Sequence, residues 1–309
     1  MDYQRNMKVY KGLSEYQPHA EGAYIALGFF DGVHSGHRAV ISACAKDSGA
    51  SPCVVLTFCE SPAKALGKPA PPLLSPNPRK ARLLEDAGAD EIIFTDFSAV
   101  KDMSPAEFVK KVLCDRLNAI RVYCGFNYRF GKNGAGDTAA LKELCEAKGI
   151  SVYISEPVFC GGEQVSSSLI RERIASGEIE RANEMLGYSY PLEGKIGVGD
   201  QVGSEIGFPT VNLPIGREVV TPCFGVYASK LVIEGKSFRG ATNIGVHPTV
   251  GAKEEPLCET FLLDYEGGDL YGKSAVCELI TFIRPEKHFD SVEELITQIQ
   301  RDCDTIRSI

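Results

Sequence analysis

The sequence predicts an α/β unit built on a parallel sheet, followed by a small antiparallel β-barrel with a helix at its C-terminal end. Three observations predict it. Up to Val158, short apolar runs alternate with segments of helical periodicity, the signature of βαβ units. Beyond Pro191, Gly and Pro punctuate short runs rich in Val, Ile, Phe, Tyr and Thr, which read as many short strands. The final stretch, DSVEELITQIQRDCDTIRS, returns to helical spacing through Val292, Leu295, Ile296 and Ile299. The division falls after Gly187, giving units 1–187 and 188–309.

In chain order, AYIALGFF is a buried strand, and HRAVISACAKDSG the helix after it. PCVVLTF is a second strand. NPRKARLLEDAG is a helix with Asn77 as its cap and Pro78 at its first position. DEIIFTDF is a strand. SPAEFVKKVLCDRLN is a helix opened by a capping box, Ser104 with Glu107. IRVYCGF is a strand, DTAALKELCEAKG a helix and SVYISEPV a strand. SSSLIRERIASGEIERANEMLG is two short helices broken at Gly177 and ended at Gly187. The barrel strands are KIGVG, FPTVNLP, FGVYASKLVIEGKSF, ATNIGV, CETFLLDY and SAVCELITFI, and Asp290 or Ser291 caps the last helix.

Composition narrows the function. The chain has 309 residues, 44% of them hydrophobic, with a formal net charge of -8. An acidic balance argues against a general nucleic-acid surface, which needs a basic face. No apolar run is long enough to span a bilayer, and MDYQRNMKVYKGLSEYQ has no secretory signal, so a cytoplasmic protein without a membrane partner is expected. Eleven cysteines are scattered without C-x-x-C pairs or zinc spacing, and read as reduced, mostly buried thiols.

GGDLYGKS, Gly267–Ser274, fits the P-loop pattern G-x-x-x-x-G-K-[ST]. A P-loop must open a helix, because the helix N-terminus and loop amides bind phosphate together. The run after Lys273, SAVCELITFI, is rich in β-branched residues and reads as a strand, so the motif is rejected. GVGDQVG likewise fails the dinucleotide spacing.

GFFDGVHSGH, Gly28–His37, lies where the first strand ends and its helix opens, the place where α/β sheets bind phosphate. Gly28, Gly32 and Gly36 permit close backbone approach. His34 and His37, three apart, can aim ring nitrogens at one phosphate and stabilise charge developing at phosphorus. In the second unit, Thr210 and Asn212 alternate along an extended segment, so their oxygens face one side and suit a metal and phosphates.

H-x-G-H after the first strand resembles the nucleotidyltransferase superfamily, and the fuller FDGVH resembles its bacterial FAD synthetase branch. SSSLIR, Ser166–Arg171, is similar to that superfamily's S-S-T-x-x-R, and GFNYRFGKNGAGD to its loop near flavin and nucleotide. IGFPTVNLP resembles the G-x-P-T-A-N signature of riboflavin kinase. FGVYA, NIGVHPT, DLYGK and FIRPEKHFDSVEELITQIQRD extend that match across the second half. The chain is thus similar to bifunctional riboflavin kinase/FAD synthetases.

The resemblance implies a Rossmann-like nucleotidyltransferase domain and a riboflavin kinase barrel. It implies phosphorylation of riboflavin by ATP to FMN, then adenylyl transfer from ATP to FMN, giving FAD and pyrophosphate. It implies Mg²⁺. Nucleotide and phosphate would be held by Gly28, Phe30, Asp31, Gly32, His34, Gly36, His37, Ser166, Ser167, Ser168 and Arg171, and by Gly207, Pro209, Thr210 and Asn212. The metal would sit on Thr210 and Asn212. Flavin would meet Asn127, Glu259 and Arg284, with Glu259 as general base. Two departures stand out: TFCESP where the family has T-F-D-P-x-P, and Gly203-Ser204 where it has Gly-Arg. They leave two rival readings. The N-terminal unit could serve another phosphorylated acceptor, or one half could be a non-catalytic flavin-binding or regulatory module.

Overall fold

The computed structural model describes residues 7–197, 208, 210–246, 255–265 and 267–309. The chain forms two compact units, Met1–Ser167 and Ser168–Ile309.

The first unit holds a six-stranded sheet in the order β1-β4-β3-β2-β5-β6, parallel throughout. Its strands are β1 (Lys8–Tyr10), β2 (Ala23–Leu27), β3 (Cys53–Phe58), β4 (Glu91–Thr95), β5 (Ala119–Gly125) and β6 (Ser151–Ser155). The helices are α1 (Ser35–Ser48), α2 (Pro62–Ala65), α3 (Asn77–Asp86), α4 (Pro105–Glu107) and α5 (Thr138–Glu146). Strand order reverses at β2, which pairs with β3 on one side and β5 on the other. Ligand sites of open α/β sheets lie beyond the strand carboxyl ends at such a switch. Here that place belongs to the residues after Leu27 and Gly125.

The core joins Ile25, Leu27, Val54, Leu56, Ile93, Val122 and Cys124 of the strands to Phe108, Val109, Val112 and Leu113. Burying each such side chain is worth about 1.5–3 kcal/mol. The Ser104–Glu107 capping box forms in both directions, as its sequence predicts. The helix it opens then widens to i→i+5 bonding over Phe108–Cys114, which helical periodicity alone does not reveal. Asn77 does not cap α3. The helix starts at Asn77 itself behind Pro76, and the Asn77 amide instead donates to the Cys59 carbonyl at 2.8 Å. Strand β1 and the small hairpin β7 (Phe159–Cys160) and β8 (Glu163–Gln164) go beyond the predicted elements. The hairpin turns on Gly161 and Gly162, both at positive φ, so its signal was the Gly-Gly pair.

From the division between the units run α6 (Ser167–Ser176) and α7 (Ile179–Leu186), separated at Gly177 and ended by left-handed Gly187, as predicted. The six strands of the second unit are β9 (Tyr190–Lys195), β10 (Thr210–Pro214), β11 (Gly225–Ile233), β12 (Lys236–Val246), β13 (Pro256–Leu262) and β14 (Ser274–Pro285). They form one antiparallel sheet in the order β10-β13-β12-β11-β14-β9. Gly197, just past edge strand β9, bridges to Asn212 of the other edge strand, β10, and so curls the sheet toward a closed barrel. Inside it, the Ser229, Thr242 and Thr260 hydroxyls form a buried chain at 2.7 and 2.8 Å. Helix α8 (Val292–Ser308) is capped by Ser291, not Asp290, and lays Cys303 and Ile306 on Ala228 and Leu263. All eleven cysteines are free, and seven of them are buried.

Candidate active sites

In the first unit, the chain leaves β2 through a strained turn. Phe30 and Val33 take positive φ (53° and 37°), unusual for bulky or β-branched residues. At Gly32 (φ 78°) an added Cβ would lie 2.7 Å from Leu74, so conformation and space both require glycine. The turn is held from several sides. The Asp31 carboxylate accepts the backbone N–H groups of Leu74 and Ser75 at 3.0–3.1 Å. Ser75 Oγ accepts from Gly32 N–H at 3.0 Å. The Phe29 carbonyl accepts from the Thr57 hydroxyl at 2.9 Å and from Lys80 Nζ at 3.3 Å. Ser167 Oγ donates to the Asp31 carbonyl at 3.0 Å, which sets Ser167 against this turn.

His34 is the N-cap of α1, and its Nδ1 accepts the His37 N–H at 3.3 Å. The two imidazoles stack with centroids 3.6 Å apart, and Phe30 meets the His37 ring edge-on at 5.3 Å. The histidines are therefore together, but with His34 Nδ1 committed to the backbone. His37 Nδ1 is buried and has no hydrogen-bond partner among the described residues. Burial above all, then His34 and Lys80, hold His37 well below the ordinary histidine range. Asn127, on the loop after β5, is exposed. A separate cavity of about 280 Å³ is lined by Leu66, Phe97, Lys68, Lys101, Gly131 and Asn133.

In the second unit, Asn212 and Glu259 are direct cross-strand partners on β10 and β13, and Asn243 of β12 stands opposite Glu259 on the other side. The three share one face of the sheet. Asn212 is buried, and its Oδ1 lacks a hydrogen-bond partner among the described residues. Glu259 is half-buried. Thr210 lies two residues before Asn212 on the same face, and borders a cavity of about 430 Å³ that Phe261, Tyr265 and Tyr271 also line. Gly207, Pro209 and the Gly203-Ser204 departure lie outside the described residues.

An FAD synthetase family model matches residues 16–169, and a riboflavin kinase model matches residues 186–309. The bifunctional riboflavin kinase/FMN adenylyltransferase of Listeria monocytogenes is 34% identical over 90% of this chain and 89% of its own. That of Escherichia coli K12 is 33% identical over 97% of both chains. The chain belongs to the bifunctional riboflavin kinase/FMN adenylyltransferase family. The enzyme phosphorylates riboflavin through its C-terminal half and adenylylates FMN through its N-terminal half. A solved Streptococcus pneumoniae structure titled a macrolide-efflux protein shares the fold, with TM-score 0.87 at 28% identity over 98% of this chain and 99% of its own. Among the described residues here, no helix is long and apolar enough to cross a membrane.

Within the riboflavin kinase half, Lys273 does not open the helix that a P-loop requires. Strand β14 begins at Ser274, and Lys273 Nζ pairs with Glu234 at 2.9 Å. Yet Gly267, Gly268, Asp269, Leu270 and Tyr271 of the same stretch line the cavity beside Thr210. The letters pointed near a pocket for a reason unrelated to the motif. Arg284 is held by a bidentate pair with buried Asp302 (Nε 3.0 Å, Nη2 2.7 Å), which also accepts from Gln298 at 2.9 Å. In the FMN adenylyltransferase half, Lys80 escaped the sequence reading. It is 1% exposed, and a lysine on a surface-patterned helix gives no signal of burial.

Proposed function

We propose that the kinase half transfers the γ-phosphoryl group of ATP to the ribityl 5′-hydroxyl of riboflavin, with Glu259 as general base. The half-buried carboxylate stands beside Asn212, where it can accept the hydroxyl proton as the new P–O bond forms. Thr210 and Asn212 are the proposed Mg²⁺ holders. The orphaned, buried Asn212 Oδ1 fits a hard cation that takes oxygen ligands. Bound there, Mg²⁺ would neutralise charge on the phosphates. Gly207 and Pro209 belong to the same proposal by resemblance, and the cavity beside Thr210 gives a nucleotide room. Arg284, its guanidinium fixed by Asp302, is proposed to border the flavin.

In the adenylyltransferase half, an FMN phosphate oxygen attacks the α-phosphorus of ATP and pyrophosphate leaves. His34, His37 and the amides opening α1 stabilise the charge that develops there. Phe30 and Asp31 shape the turn, and Ser166, Ser167, Ser168 and Arg171 are assigned to the triphosphate by resemblance. Asn127 is assigned to flavin. No covalent protein intermediate is needed, because the FMN phosphate is itself the nucleophile. The working boundary between the activities is placed after Gly187, and the free thiols suit a reducing, cytoplasmic setting.

The observation that carries this reading is a pair of buried orphan atoms, His37 Nδ1 and Asn212 Oδ1, one at each place where phosphate is expected. The test is chromatography of flavin products from Glu259→Ala and His37→Ala. Glu259→Ala should make FAD from supplied FMN but no FMN from riboflavin. His37→Ala should stop at FMN. A variant that keeps both steps sinks its assignment.

A further inference from the structure

Lys80 is a lysine almost without solvent contact, and its hydrogen bonds go to backbone carbonyls rather than to a carboxylate. It donates to Phe29 O at 3.3 Å and to Phe58 O at 3.2 Å. Phe29 lies just beyond the end of β2, and Phe58 is the last residue of β3. The ammonium also sits over the Phe29 ring (4.4 Å) and the Phe94 ring (5.4 Å). A buried ammonium costs several kcal/mol unless its surroundings compensate, and carbonyls and ring faces do so only in part. An apolar side chain of this length would fill the space at less cost. The charge therefore sits at this strand edge for something other than stability.

Its position says what. The Phe29 carbonyl that Lys80 holds belongs to the turn in which Phe30 and Val33 adopt positive φ. Strained backbone of this kind persists only where its surroundings over-determine it. Lys80 also lies within electrostatic range of His37 and bears on its charge state.

We propose that Lys80 is a positioning residue for adenylyl transfer: it ties the ends of β2 and β3 together at the turn that leads into His34 and His37. Two imidazoles at 3.6 Å cannot both be protonated cheaply, and the Lys80 charge adds a smaller push that lowers His37 further. The charged and titratable groups facing this site are His34, His37 and Lys80, with Asp31 and Cys59 facing Lys80. Burial lowers Lys80 itself from 10.5 to about 8, which leaves it mostly charged at neutral pH. Lys80 does not touch substrate, since it is enclosed.

The inference rests on the proposed role of His34 and His37, so His37→Ala is measured beside Lys80→Met and Lys80→Arg in the full-length enzyme. The readouts are FMN adenylyltransferase kcat and KM against pH, riboflavin kinase rate as an internal control, and NMR titration of the histidine Cε1–H signals, of which the chain has only five. Lys80→Met should lower adenylyltransferase kcat at least ~10-fold with kinase rate unchanged, and should move the His37 titration to higher pH. Lys80→Arg keeps the charge and should leave that titration in place. Lys80→Met with parental kcat and an unmoved His37 titration overturns the inference. So does an equal titration shift in both variants, which would mark a packing effect. If His37→Ala keeps its adenylyltransferase rate, it is the histidine assignment that fails.

Discussion

Lys80 and Asn212 are polar groups placed where burial is costly, and each stands beside proposed chemistry. Folded Lys80 releases its proton near pH 8, whereas the unfolded chain holds it to 10.5. Across that window the unfolded state binds more protons, so stability rises as pH climbs from about 8 toward 10.5. The burial cost, about 3 kcal/mol, is fully present at pH 7. Lys80→Met should therefore unfold in urea at pH 7 no earlier than the parent, and any gain should shrink near pH 10.5. A parent more stable than the variant at pH 7 would contradict the cost. Asn212→Ala removes an orphan acceptor, so it too should not lower stability, yet it should cut riboflavin kinase rate by ~100-fold while adenylyl transfer persists. Gain in stability with loss of activity is the mark of a polar group kept for function.

At the element scale, α8 is attached to the barrel by an apolar contact and by polar contacts, of which the Arg284–Asp302 clamp is the most buried. Cys303 and Ile306 pack on Ala228 and Leu263, and Arg284 of β14 grips Asp302. Asp302→Ala would leave a largely enclosed guanidinium unpaired, so we expect a loss of about 3 kcal/mol in chemical denaturation. Asp302→Asn, which keeps an acceptor, should lose less. Other elements separate what periodicity reveals from what it hides. The Ser104–Glu107 box and the Gly177 break depend on neighbouring residues alone, and both form as read. Asn77 departs from its expected capping role because the helix already includes it behind Pro76, and its amide N–H is left to donate to the Cys59 carbonyl. The widened turn at Phe108–Cys114 belongs to a segment that sinks Phe108, Val109, Val112 and Leu113 into one core, a tertiary demand.

For the whole molecule, the proposed metal ligands are a hydroxyl and a neutral amide, and no group of three or more His, Cys, Asp or Glu gathers as a metal cage among the described residues. Chelation with EDTA should therefore stop FMN formation without shifting the thermal unfolding of the protein. A large fall in melting temperature would point to a structural ion instead.

By itself the sequence determined the two-part architecture, the order of activities and the turn at Gly28–His37. Those rest on short-range patterning and on motifs whose residues are close together in the chain. Only the tertiary structure decided which polar atoms are buried without partners, that His34 spends a ring nitrogen capping its own helix, that Asn243 shares a face with Glu259, and that Lys80 holds the carbonyl of Phe29 in the turn after β2. Burial and register arise from strands distant in sequence meeting in one sheet. A lysine on an amphipathic helix carries no mark of which neighbours will close over it.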